Sequence, residues 1–168
     1  MLRRRLFLAS LAAPALAACG FELRRTPTFA FSTLFVGASQ NSTLANELKR
    51  SIASGGTVEV INDVRQIQRV QVIMDVLAEQ REKVVVGLNA SGQVREFQLR
   101  IRMRFRLRTP QGKELIPDTE LLQQRDISFN ESAVLSKEAE ENLLYRDMQT
   151  DIVQQLMRRL SAVKSLTS

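Results

Sequence analysis

From Phe97 to Arg108 the chain reads FQLRIRMRFRLR. Apolar and polar side chains alternate without a break, and a strand sends successive side chains to opposite faces. Phe97, Leu99, Ile101, Met103, Phe105 and Leu107 therefore share one face, and Gln98, Arg100, Arg102, Arg104, Arg106 and Arg108 share the other. The same period precedes it. Val70, Val72, Met74, Val76 and Ala78 alternate with Gln71, Asp75 and Glu79, and the apolar phase resumes at Val84, Val86 and Leu88 beyond the polar residues 80–83. This predicts one long strand over residues 70–88. Asn89-Ala90-Ser91-Gly92 and Thr109-Pro110-Gln111-Gly112 read as turns on composition. A return strand over residues 115–129 follows, with Pro117 placing its start at an edge or a bulge.

Around this meander the period changes. Leu44, Leu48 and Ile52 recur every four residues behind Asn41-Ser42, either of which can cap a helix, and Gly55-Gly56 ends it. Residues 34–39 and 57–61 are short apolar strand candidates. After Ser136, which stands where an N-cap would, Leu144, Met148, Ile152, Leu156 and Leu160 mark a long amphipathic helix. Glu138, Glu140 and Glu141 lie near its start and Arg158, Arg159 and Lys164 near its end, as the helix dipole favours. The expected fold class is α+β: a two-layer sandwich in which two helices pack on one face of a mostly antiparallel sheet of four to five strands.

The first twenty residues, MLRRRLFLASLAAPALAACG, do not belong to that pattern. Arg3, Arg4 and Arg5 form a basic leader, residues 6–16 an apolar segment too short to span a bilayer as a helix, and Leu16-Ala17-Ala18-Cys19 has the small residues of a cleavage site. This resembles a bacterial lipobox. The expected organisation is a signal peptide over residues 1–18, a lipid-anchored tether over 19–33 beginning at Cys19, and one domain over 34–168. Gly20 after the cysteine implies delivery to the outer membrane, and acylation gives a stable membrane anchor. Removing 18 of 168 residues leaves 150, and with the three leader arginines gone the formal charge falls from +6 to +3. So mild a charge is weak evidence for nucleic acid as a partner. Cys19 is the only cysteine, so no intramolecular disulfide forms.

Catalytic chemistry finds little support. The chain has no His and its one Cys is the anchor. Gly-x-Ser-x-Gly, a phosphate loop and metal-ligand spacing are all missing from the sequence, so neither an enzyme nor a cofactor is expected. What the arginine face meets becomes the functional question. With a four-residue turn at 89–92, Leu88 faces Gln93, and counting back sets Arg106 opposite Asp75, Arg102 opposite Glu79 and Arg100 opposite Arg81. The second hairpin brings Asp118 and Glu120 towards Arg104 and Arg102. Cross-strand ion pairs on a solvated face are the plainest reading, with Arg100 and Arg108 left over.

Two further stretches carry a resemblance. CGFELR at Cys19–Arg24, and RDISFNESAVLSKEAEENLLYRDMQTDIVQQLMRRL at Arg125–Leu160, are similar to the start and the C-terminal signature of the LptE family of lipopolysaccharide-assembly lipoproteins. The resemblance implies a non-enzymatic α/β sandwich in the outer membrane that sits inside the LptD β-barrel, helps that barrel assemble, and contacts lipopolysaccharide during its export. A barrel lumen is polar and guanidinium forks suit phosphates, so the arginine face is expected to meet either lumen carboxylates or lipopolysaccharide. Lys137 matches the lysine of the family's Leu-x-Lys segment and is the first candidate lipopolysaccharide contact. Arg102 and Arg104 of the stripe and Arg95, the basic residue nearest the 89–92 tip, complete the candidate set. The competing reading is another kind of lipoprotein, a component of a phospholipid transporter or a pilotin for a different outer-membrane pore.

Overall fold

The computed structural model describes residues 27–166. Five strands form one open sheet: β1 (Thr33–Gly37), β2 (Glu59–Ile61), β3 (Val72–Leu88), β4 (Val94–Arg108) and β5 (Glu114–Ser128). Their spatial order is β2-β1-β3-β4-β5. The long hairpin pairs β3–β4 and β4–β5 are antiparallel, and β1 runs parallel to both of its neighbours. A parallel neighbour needs a crossover. Helix α1 (Thr43–Ser54) supplies it between β1 and β2, and a 3-10 segment, Val64–Arg69, leads from β2 to β3.

Local chemistry explains the ends of α1. Ser42 caps it, its Oγ accepting from Ala45 N–H at 2.9 Å, and Gly55 closes it with its N–H returned to Ile52 O at 3.1 Å. The second helix, α2 (Val134–Ser161), starts earlier than its sequence indicates. Ser136 does not cap it: Ala133 holds that position with no side-chain bond, and Ser136 Oγ instead donates to Ala133 O at 2.8 Å inside the first turn. A 3-10 turn at Glu131–Ala133, capped by Asn130 accepting from Ser132 N–H, has already begun the coil.

The apolar face of β4 is buried as its alternation requires: Leu99, Met103, Phe105 and Leu107 are fully inaccessible. They pack with Leu44, Leu48 and Ile52 of α1 and Met148, Ile152, Leu156 and Leu160 of α2 in one core. Both helices therefore cover the same face, and the arginine face of β3–β5 stays open. The core reaches back to Phe31, inside the stretch read from the sequence as tether. Among the described residues no helix is long and apolar enough to cross a membrane.

Candidate functional site

The open face is a ladder of charge. Arg106 Nε donates to Asp75 Oδ2 at 2.8 Å, and Arg108 Nε reaches the same oxygen at 2.8 Å. Arg104 pairs with Asp118, Arg102 Nη1 lies 3.3 Å from Glu120 Oε1, and Arg100 Nη1 lies 3.9 Å from Glu82 Oε2. All five arginines of the stripe thus have a carboxylate partner, and one carboxylate is shared. The face is nearly neutral as a whole but densely polar.

Its register corrects the one counted from the turn. Asp75 does face Arg106, but Val76 pairs with Phe105 and Ala78 with Arg104, which leaves Leu77 as an extra, bulged residue. Beyond it the side chains of β3 change face as far as Val85, where the register shifts again, because the strand period is two. Arg102 faces Gln80 and not Glu79, and Arg100 faces Glu82 and not Arg81. Glu79 and Arg81 turn to the helix side. There Ser42 Oγ donates to Glu79 Oε2 at 2.5 Å, and Arg81 Nη2 donates to Gln149 Oε1 at 2.8 Å. Gln149 Nε2 in turn donates to Glu47 Oε2 at 2.6 Å, so one network joins β3, α1 and α2. The arginine that looked partnerless has therefore gained Glu82, and the one that looked opposed to it has been moved away.

Burial alone would raise the Asp75 carboxyl, but hydrogen bonds and charge from Arg108 and Arg106 outweigh it and hold the group below the usual carboxylate range. A depressed folded-state pKa stabilises the fold above the unfolded value, and that contribution is lost as pH falls through the folded one. The difference in urea midpoint between wild type and Asp75→Asn is therefore expected to shrink from about pH 6 to pH 3. A difference that stays constant over that range would show that Asp75 does not titrate against the two arginines.

The candidate lipopolysaccharide residues separate into two places. Arg102 and Arg104 lie in the middle of the open face. Arg95 and Lys137 lie at the far end of the β3–β4 hairpin, where α2 begins and where Phe129 N–H donates to Arg95 O at 2.8 Å. Lys137 Nζ donates to Glu140 Oε2 at 2.8 Å and to Ser128 Oγ at 3.0 Å. It borders a pocket of about 70 Å³ with Lys83, Phe97, Ile127, Phe129 and Val134. Lys83 was not singled out by the sequence. Its Nζ sits 4.4 Å from the centre of the Phe97 ring and 2.6 Å from Glu141 Oε2. Only the bulge aims it there, and no local pattern announces a bulge at Leu77. Val85, Val86, Leu88 and Leu135 are exposed around this end. Cys19 lies outside the described residues.

Comparison with known proteins agrees with this architecture. The LptE family, described as lipopolysaccharide-assembly, matches residues 31–160. Lipoprotein B of Nitrosomonas europaea, solved by NMR, is 34% identical with a TM-score of 0.73, covering 85% of this chain and 91% of its own. Rare lipoprotein B of Shewanella oneidensis shares the fold at 17% identity and a TM-score of 0.63, covering 78% of this chain and 95% of its own. A minor lipoprotein of Acinetobacter baumannii does so at 18% identity and 0.62, covering 80% and 94%. A search of curated proteins found no match. The family match spans both helices and all five strands, the same elements that build the charge ladder and the distal pocket, and on it this chain belongs to the LptE, lipopolysaccharide-assembly, family.

Proposed function

We propose that this protein is a non-enzymatic outer-membrane lipoprotein, anchored through Cys19, that occupies the lumen of an LptD-like β-barrel, helps it assemble, and touches lipopolysaccharide as it passes. The family match carries this reading. The open sheet face supports it physically. Three long strands present a broad polar surface whose charges are already balanced within the chain, so docking against a polar barrel wall leaves few ions uncompensated. Arg102 Nε adds a donor that is out of contact with solvent and has no acceptor among the described residues.

The distal end supports the lipid contact. Two ammonium groups, Lys83 and Lys137, stand over an apolar floor of Phe97, Ile127 and Phe129, with exposed valines and leucines beside them. An amphiphile with an anionic head matches that arrangement better than a free phosphate does, because both lysines already have carboxylate partners and the floor is apolar. Arg102 and Arg104 lie on the opposite face and are assigned to the barrel.

The test is to tag the C-terminus, extract the outer membrane in mild detergent and identify what co-purifies in equal amount. An LptD-like barrel is expected. Replacing Arg102, Arg104 and Arg106 together by Gln is expected to leave the thermal midpoint nearly unchanged, since exposed ion pairs contribute roughly 0–1 kcal/mol each. The same change leaves Asp75, Asp118 and Glu120 with fewer partners, turns the face negative and reduces barrel recovery. A triple variant that still recovers the barrel fully would remove the sheet face from the interface, and a different pore in the eluate would replace the barrel reading itself.

A further inference from the structure

The stripe arginines are neutralised, yet a set of exposed cations elsewhere is not. The described chain begins beside the start of β1, and β1, β2 and β3 run parallel, so their first residues share one end of the domain. Arg108 is in register with both Ile73 and Glu114, which brings the β4–β5 turn to that end. Lys113 Nζ lies 3.4 Å from Leu166 O, which brings the tail after α2 there too. Helix α1 runs back from the end of β1 to the start of β2, so its last turns approach the same place.

This end gathers Arg50, Arg69, Arg158, Arg159 and Lys164, all exposed. None of the five has a carboxylate partner among the described residues. Against them stand Glu59 and Glu114. The opposite end carries Glu131, Glu138, Glu140 and Glu141 around its lysines, so the domain is polarised along its long axis.

We propose that this basic end is an electrostatic footing on the anionic headgroups of the leaflet that holds the protein's own lipid. The proposal rests on the anchor reading of Cys19. Only seven residues, 20–26, separate that cysteine from the described chain, and the eight links from Cys19 to Pro27 reach at most ~28 Å when fully extended. The anchored domain therefore cannot leave the vicinity of the surface, and the end from which the tether departs is the unpaired basic one. Cations near an anionic leaflet are attracted within a Debye length, and a fixed tether keeps them inside it. The footing orients the long hairpin, and the pocket at its tip, away from the headgroups.

The test uses the full chain, processed and lipidated in a Gram-negative host and reconstituted into vesicles of phosphatidylcholine alone or with phosphatidylglycerol. A donor fluorophore is placed by Gln111→Cys in the β4–β5 turn, or by Ser91→Cys in the distal turn, while acylation blocks the thiol of Cys19. Energy transfer to a headgroup-labelled lipid is then measured. Transfer from the Gln111 site is expected to exceed that from Ser91 and to rise with phosphatidylglycerol. Replacing Arg158, Arg159 and Lys164 by Gln, or separately Arg50 and Arg69 by Gln, is expected to return it to the phosphatidylcholine level.

Transfer that ignores lipid charge or both variants overturns the proposal. Flotation of the unlabelled chain with the vesicles reports the anchor by itself. A chain that does not float removes the ground of the proposal, and one that floats without charge-dependent transfer overturns the footing alone. Loss of barrel recovery in the variants with transfer unchanged would give the cations to a protein interface and overturn the lipid assignment.

Discussion

Phe105→Ala is expected to cost about 3–5 kcal/mol of folding stability, read as a fall in urea midpoint with an unchanged slope. Phe105 is fully inaccessible in the central strand of the three long ones, flanked in register by Val76 of β3 and Thr119 of β5. Truncation removes a large apolar side chain from water-free surroundings and leaves a cavity, because β4 is held on both edges and cannot shift to fill it. For a domain whose total stability is on the order of 5–15 kcal/mol, that loss is severe. Its neighbour gives the contrast. Arg106 has a side chain 41% exposed, so its removal costs only the exposed half of a shared ion pair and the packing of its stem. A Phe105→Ala cost no larger than that of Arg106→Ala would mean the sandwich repacks freely, contrary to the closed core.

Gln149→Leu is expected to come next in cost, because this side chain ties β3 and α1 to α2. Gln149 Oε1 accepts from Arg81 Nη2 and from Thr43 Oγ1, each at 2.8 Å, and its Nε2 donates to Glu47 Oε2 at 2.6 Å. Leucine removes all three bonds, and each part-buried polar group left unpaired costs about 1–3 kcal/mol. A urea midpoint equal to that of wild type would show that the network adds nothing to the fold. Deleting Leu77 gives the contrast. It is the extra residue of the bulge, so without it Val76–Phe105 and Ala78–Arg104 become successive pairs of a regular ladder, and Glu79, Arg81 and Lys83 keep their faces. The deletion is expected to cost less than Gln149→Leu, since it changes only the local twist of β3. A deletion variant less stable than Gln149→Leu would show that the curvature of the bulge, and not the register alone, holds the network.

Phe105 and Leu77 mark the limit of what periodicity can tell. Phe105 was legible because strand alternation is a local property: each side chain's face follows from its neighbour's, and six apolar positions in step leave one arrangement. The same holds for α1 and α2, whose stripes at spacing four and whose dipole-matched charges fix type and facing, and for Ser42 as a cap. Leu77 was not legible. A bulge is decided by how two strands of different curvature pair, and no side chain near it breaks the pattern. Leu88 pairs with Val94 and not with Gln93, so the count from the turn was one residue out at Arg100 and Glu82, and the bulge cancels that slip before Arg106 and Asp75. Lys83 came to the distal pocket by the same unseen step. Ser136 failed as a cap because a preceding 3-10 turn, set by Asn130, began the helix first.

By itself the sequence determined the class of fold, the two apolar layers and the family signature, all of which follow from spacing or from short runs of residues. Only the tertiary structure decided which carboxylate each arginine meets and which cations remain unpaired. Those outcomes depend on register between strands far apart in the chain and on which elements converge at each end. A single inserted residue reverses the first, and the parallel pairing of β1 with β2 and β3 sets the second.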